Sequence, residues 1–135
     1  MRTQVKRAFT LIEILIVVVI LGILAAIVIP QFTDASAQAS NSSVQSQLQT
    51  IRAQVELFRV KNNGADPDLS ADWDDLVLAN PPYLHNAPKN PLMAAASQAA
   101  IGTSASTSVG WTWHTNAAGV MDVFAVAADG TELTY

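Results

Sequence analysis

A single carboxylate interrupts the most apolar stretch of the sequence. Glu13 is the only charged residue between Arg7 and Asp34, and the residues around it are mostly Ile, Leu, Val and Ala. An ionised carboxylate in hydrocarbon is costly and is retained where a partner offsets that cost. The stretch has no cation of its own, because Lys6 and Arg7 precede it. We therefore expect Glu13 to pair with a positive charge from outside the stretch.

Other residues that could carry out catalysis are sparse. The chain has no cysteine, which excludes thiol catalysis, cysteine-based zinc sites and disulfides. His85 and His114 are the only histidines, and neither lies in a metal-ligand or catalytic-triad spacing. No glycine loop of the phosphate-binding type is present. The sequence therefore predicts a protein that is not an enzyme.

Four oxygen-bearing residues alternate in the manner of calcium ligands: Asp66, Asp68, Ser70 and Asp72. The EF-hand pattern then needs a glycine where Ala71 stands and a bidentate glutamate where Val77 stands. Both positions fail, so we expect solvated acids with Ser70 capping a short helix.

The charge of the C-terminal part argues against nucleic-acid binding. From Asn63 to Tyr135 the sequence has eight acidic residues and one base, Lys89. An acidic domain without a basic stripe repels phosphate backbones. We therefore expect no binding of nucleic acid by this domain.

The apolar stretch has the length of a membrane-spanning helix. Residues 9–29 would form a helix of about 31 Å, close to the ~30 Å hydrocarbon core of a bilayer. The preceding bases Arg2, Lys6 and Arg7 predict a cytoplasmic N-terminus. The alternative is a secretory signal peptide cleaved after Ala37, but its apolar region is usually only about 7–15 residues long.

Beyond the membrane segment, residues 31–62 continue in helical period. Their apolar side chains recur at alternating spacings of four and three and form one seam: Val44, Leu48, Ile51, Val55 and Phe58. Pro30 should kink or loosen the helix, and Asn62 to Gly64 should end it. We expect one helix over residues 9–62, which spans the membrane in its first half and is amphipathic in its second.

Residues 63–135 predict a small α+β head. A short helix should turn Trp73, Leu76 and Val77 inward, and the Ala/Ser-rich segment 94–108 reads as a mobile loop. The stretches "VGWTWH", "VMDVFAVA" and "TELTY" alternate and are separated by turns, which predicts an antiparallel meander. The fold class is thus a long N-terminal helix packed on a small antiparallel sheet.

The N-terminal region resembles type IV pilin and pseudopilin precursors. The motif consists of a short basic leader, then "AFTLIE" at residues 8–13, then an apolar helix interrupted at Pro30. The resemblance implies that a prepilin peptidase removes residues 1–8 by cutting between Ala8 and Phe9, and methylates the new amine of Phe9. It also implies that Phe9, Glu13 and Pro30 act in filament assembly, with Glu13 meeting the Phe9 amine of a neighbouring subunit.

The head shows a weaker resemblance of the same kind. "PPYLHNAPKNPL" and "GWTWHTNAAGVMDVFAVAADG" are similar to segments of the major pseudopilins of type II secretion. Such heads often hold calcium near the C-terminus, and Asp122 and Asp129 are the candidate ligands here, although we expect no required cofactor. Many true pilins close a C-terminal loop with a disulfide, and the lack of cysteine therefore favours a pseudopilin.

The resemblance implies a filament subunit that is assembled from the inner membrane. Its partners would be further copies of the chain, minor pilins or pseudopilins, the prepilin peptidase, the inner-membrane assembly platform and membrane lipid. The leader would be cytoplasmic and the head would lie on the periplasmic side, in a periplasmic or surface filament. The alternative is a membrane-anchored or exported periplasmic binding domain that does not polymerise.

Overall fold

The computed structural model describes residues 9–135, which form two compact units that divide between Gln38 and Ala39. Helix α1 spans Leu11–Lys61 and agrees with the predicted limits to within two residues. Pro30 lies inside α1, and the residues on both sides of it remain helical. Close to the proline, the Thr33 hydroxyl donates to the Ile29 carbonyl oxygen at 3.1 Å. A proline in this position removes one helical N–H, but it does not end the helix.

The predicted seam of α1 forms one wall of the head's core. Val44, Leu48, Ile51 and Val55 are at most 2% exposed. They belong to one buried cluster with residues of the sheet, and Phe58 packs against that cluster. Burial of apolar surface along one helical stripe is the main force that holds such a helix to a sheet. The seam prediction is confirmed.

Four strands form the sheet of the head, in the order β1-β2-β3-β4. They are β1 (Ile101–Gly102), β2 (Trp111–Thr115), β3 (Met121–Val126) and β4 (Glu132–Leu133). The pairs β2–β3 and β3–β4 are antiparallel, which confirms the predicted meander and the α+β class.

The sheet is mixed rather than purely antiparallel, because β1 pairs with β2 in parallel. Strand β1 lies within the segment that was expected to be a mobile loop. Ile101 is the residue responsible, since its side chain is 5% exposed and belongs to the core cluster. The surrounding Ala/Ser composition hid this single branched apolar residue from a reading based on composition.

Helix α2 is shorter than expected and is not capped by Ser70. It spans Asp74–Val77, and no side chain caps its N-terminus. Ser70 instead donates its N–H and its hydroxyl to Asp68 Oδ1, at 3.1 and 2.7 Å. Trp73 and Leu76 are buried, as predicted.

A buried asparagine fixes the Pro-rich segment to the sheet. Asn90 Nδ2 donates to the carbonyl oxygens of Gly110 and Val126, at 2.8 and 2.7 Å. Its Oδ1 accepts the N–H of Leu92 at 3.0 Å. Next to it, the chain passes so close to Gly110 that a Cβ there would lie 2.6 Å from the Gln98 carbonyl oxygen. These bonds give an irregular segment the partners that its buried polar groups need.

Candidate processing and assembly site

Three reciprocal hydrogen bonds between Thr10 and Glu13 cap the start of α1. The Thr10 N–H and the Thr10 hydroxyl both donate to Glu13 Oε2 at 2.8 Å. The Glu13 N–H donates back to Thr10 Oγ1 at 3.3 Å. This is a capping box, in which a Thr and the Glu three positions later satisfy each other's free donors at a helix N-terminus.

The capping box supplies Glu13 with a partner that the sequence analysis overlooked. The sequence predicts a partner only from outside the apolar stretch, because the stretch contains no cation. The Thr-x-x-Glu spacing at residues 10–13 is itself a recognisable signal. Neutral donors orient the carboxylate but leave its negative charge in place, and an ionised carboxylate can accept about four hydrogen bonds. Glu13 therefore keeps the capacity to pair with an ammonium group.

Phe9 lies just before the helix, and its side chain is 79% exposed. Ala8 lies outside the described residues, and so does the peptide bond between Ala8 and Phe9, where cleavage is predicted. Cleavage there, methylation of Phe9 and the assembly roles of Phe9, Glu13 and Pro30 stay predictions.

The apolar part of α1 has no covering in its own unit. The large apolar side chains from Leu11 to Ile29 are each at least 51% exposed. Within residues 9–135, α1 is the one helix that is long and apolar enough to cross a membrane. So large an apolar surface requires lipid or other apolar helices around it.

One histidine of the head, His114, is paired with a carboxylate. His114 Nε2 donates to Glu132 Oε1 at 2.8 Å, and its ring stacks on Phe124 with centroids 4.6 Å apart. The hydrogen bond to Glu132 raises the pKa of His114, and partial burial opposes that rise. His85 is exposed. The arrangement is an ion pair on a sheet rather than a catalytic constellation.

Three of the candidate calcium ligands, Asp122, Asp66 and Asp129, are each bound to a different side chain of the chain. Asp122 Oδ1 lies 3.1 Å from Arg52 Nε, and Asp66 Oδ1 lies 2.6 Å from Arg59 Nε. Asp129 Oδ1 accepts the hydroxyl of Thr131 at 2.6 Å, and this bond lowers the pKa of Asp129. Within the described part of the chain, no three His, Cys, Asp or Glu residues form a group that could hold a metal ion.

Comparison with known proteins places these features in a family. Residues 4–29 match the model of the prokaryotic N-terminal methylation motif. The chain is 31% identical to the type II secretion system core protein G of Pseudomonas aeruginosa, over 98% of this chain and 90% of that protein. The chain belongs to the type IV pilin and pseudopilin family.

Other family members match over shorter lengths. The type IV narrow pilus major component of Thermus thermophilus is 37% identical over 56% of this chain and 60% of that protein. The type IV major fimbrial protein of Dichelobacter nodosus is 42% identical over 47% of this chain and 39% of that protein. No solved structure gives a significant match.

Family membership confirms the resemblance that the N-terminal motif indicated. The matched motif contains the Ala8–Phe9 bond and the whole Thr10–Glu13 capping box. An apolar N-terminal helix in a member of this family acts as a membrane anchor. The relatives are named as a core protein of a secretion system and as the major component of a pilus.

Proposed function

We propose that this chain is a structural subunit of a pilus-like filament, and specifically a pseudopilin of a type II secretion-like system. The observation that carries the proposal is the ionisable Glu13, fixed by Thr10 within an exposed apolar helix directly behind the Phe9 processing position. A lone anchor gains nothing from a charge at that depth. A bundle of such helices gains a specific contact from it.

Processing creates the partner for Glu13. We propose that a prepilin peptidase removes residues 1–8 together with the leader bases Arg2, Lys6 and Arg7, and methylates the amine of Phe9. The new ammonium stands four residues before Glu13 in the sequence. The leader bases keep the unprocessed N-terminus on the cytoplasmic side, and the head lies on the periplasmic side.

Assembly then pairs charges between subunits. The Glu13 carboxylate of one subunit meets the Phe9 ammonium of its neighbour, which offsets the desolvation of both groups. The capping box holds the carboxylate at a helix N-terminus, where the helix dipole also favours a negative charge. A wrong axial stagger leaves both charges unpaired in an apolar bundle, so the pair sets the register of the filament.

The extent of similarity supports a secretion pseudopilin over a surface pilus. The alignment with the core protein G of Pseudomonas aeruginosa covers 98% of this chain, whereas the alignments with the pilins and with other core G proteins cover about half of it. The partners are further copies of the chain, minor pseudopilins and an inner-membrane assembly platform. The head folds without a required cofactor.

Mass spectrometry of the mature N-terminus tests the processing step. We expect a protein that begins at Phe9 and carries one N-methyl group. Ala8→Gly should be processed equally well or faster, whereas Ala8→Glu should leave the full-length precursor in the membrane. A mature start after Ala37, an intact Met1, or normal cutting of the Ala8→Glu variant would overturn the proposal.

A further inference from the structure

Part of strand β3 has an open edge. Strand β4 pairs only with Ala125 and Val126, so Met121 to Phe124 have no neighbouring strand on that side within residues 9–135. Unpaired backbone groups along a strand edge are a template on which another strand can add. The β3 edge residues Met121 and Val123 are two apart, so their carbonyl groups point to the same side of the strand.

Side chains occupy this edge in place of a strand. Arg52 Nη2 donates to the Val123 carbonyl oxygen at 3.0 Å, and Arg59 Nη2 donates to the Met121 carbonyl oxygen. The Val123 N–H donates to Asp122 Oδ1 at 2.8 Å. Arg52 and Arg59 are seven residues apart on α1, and therefore lie on the same side of the helix. The three side chains occupy three of the backbone groups to which an added strand would bind.

Both arginines are held in place by further contacts. Arg52 Nε pairs with Asp122 Oδ1 at 3.1 Å, and its guanidinium carbon lies 5.5 Å from the centroid of the Phe124 ring. Arg59 pairs with Glu56 and with Asp66, and its side chain is only 14% exposed. A guanidinium has five N–H donors in a planar fork, so it can hold an ion pair and a carbonyl oxygen together.

We propose that Arg52 and Arg59 guard the β3 edge against pairing with the same edge of a second copy of this chain. The inference rests on the proposed function, because a filament brings many heads together at high effective concentration. Two open β3 edges could then pair and cross-link heads in the wrong geometry. With the edge blocked by Arg52 and Arg59, which are the guard of the β3 edge, assembly depends on the N-terminal helix.

Cysteine cross-linking in membranes tests the guard on the full-length chain. Val120→Cys places a single thiol next to the edge, since the chain has no other cysteine and Val120 is 47% exposed. A short bismaleimide is applied to this variant alone and with Arg52→Met/Arg59→Met. The control is Lys61→Met, which removes one positive charge from α1, where the double variant removes two, and whose ammonium lies over Tyr83 rather than β3. All are repeated with Glu13→Val, which should prevent filament growth.

We expect the double variant to give roughly tenfold more cross-linked dimer than the control, the scale of losing one or two net hydrogen bonds that compete with pairing. The increase should persist with Glu13→Val, which separates edge pairing from contacts within a filament. An unchanged dimer fraction in a protease-resistant, folded head overturns the guard and leaves the filament proposal intact. If the double variant does not fold, Arg59→Met alone decides: of the two edge carbonyl groups it frees only that of Met121, and we expect a smaller increase. No increase in that variant also overturns the proposal.

Discussion

The two units of the chain differ in the partners that their charged side chains have. In residues 9–38, Glu13 carries its charge among exposed apolar side chains, and its partners there are the neutral donors of Thr10. In residues 39–135, the charges of Arg52, Arg59 and Glu132 each have a partner of opposite or titratable charge. Within the described residues, every buried side-chain nitrogen or oxygen has a hydrogen-bond partner. The charged groups of Arg52, Arg59 and Glu132 are therefore satisfied within residues 39–135. The exposed apolar side chains around Glu13 instead require lipid or other helices.

Glu13→Val should have the largest effect, because it removes the carboxylate that we propose pairs with the Phe9 ammonium of a neighbour. Breaking a buried pair by deleting one member typically costs about 3–5 kcal/mol. We expect filament yield to fall sharply while the amount of protein in the membrane and the fold of the head stay normal. The measurement is the yield of sheared filaments at matched membrane abundance, with Ile14→Val as control. Equal yields would show that Glu13 does not set the register.

Leu48→Ala should destabilise only the unit formed by residues 39–135. Leu48 is 1% exposed in the core, and truncation of such a residue costs about 2–5 kcal/mol. The protease resistance and denaturation midpoint of the head should fall, while insertion of the membrane helix stays unchanged. Leu57→Ala is the matched control, since Leu57 lies on the same helix and is 40% exposed. Equal losses from the two variants would contradict the assignment of the seam.

Thr10→Val tests the capping box, because it removes the hydroxyl of Thr10 and keeps the N–H of that residue. Loss of a capping side chain costs about 0.5–2 kcal/mol. We expect a partial loss of filament yield, smaller than that of Glu13→Val, in the same shear assay. Thr33→Val, which removes the hydroxyl bonded to the Ile29 carbonyl, is the control. A yield equal to wild type would show that the capping box plays no part in assembly.

The pair His114–Glu132 should give the head a small pH dependence. Because folding raises the pKa of His114, the pair stabilises the head below the usual histidine pKa of about 6.5. That stability is lost as pH rises through the raised pKa of the folded state. Both side chains are roughly one-third exposed, so the effect should stay below about 1 kcal/mol. Melting temperatures between pH 5.5 and 8.5 measure it: Glu132→Gln should flatten the curve, and the exposed His85→Gln should not.

Periodic features of this fold could be predicted from the sequence, and contacts between distant residues could not. The seam from Val44 to Val55 follows from spacings of three and four, and the meander follows from alternation and turn residues. The capping box at Thr10 was visible but overlooked. The bond from Arg52 to Asp122 joins residues 70 positions apart, and no local pattern indicates it. Strand β1 was not predicted, because Ile101 is its one buried apolar residue and lies within an Ala/Ser-rich segment.

The close packing at Gly110 separates residues that cannot tolerate an insertion or deletion from neighbouring residues that can. A side chain at residue 110 would collide with the carbonyl oxygens of Ser97 and Gln98, so the register between these residues tolerates no change. Thr103 to Ala105 lie outside this contact and are exposed. Extending a surface loop costs little, because closure entropy grows slowly with length. Insertions and deletions between related heads should therefore accumulate at residues 103–105 and spare residues 97–98 and 110.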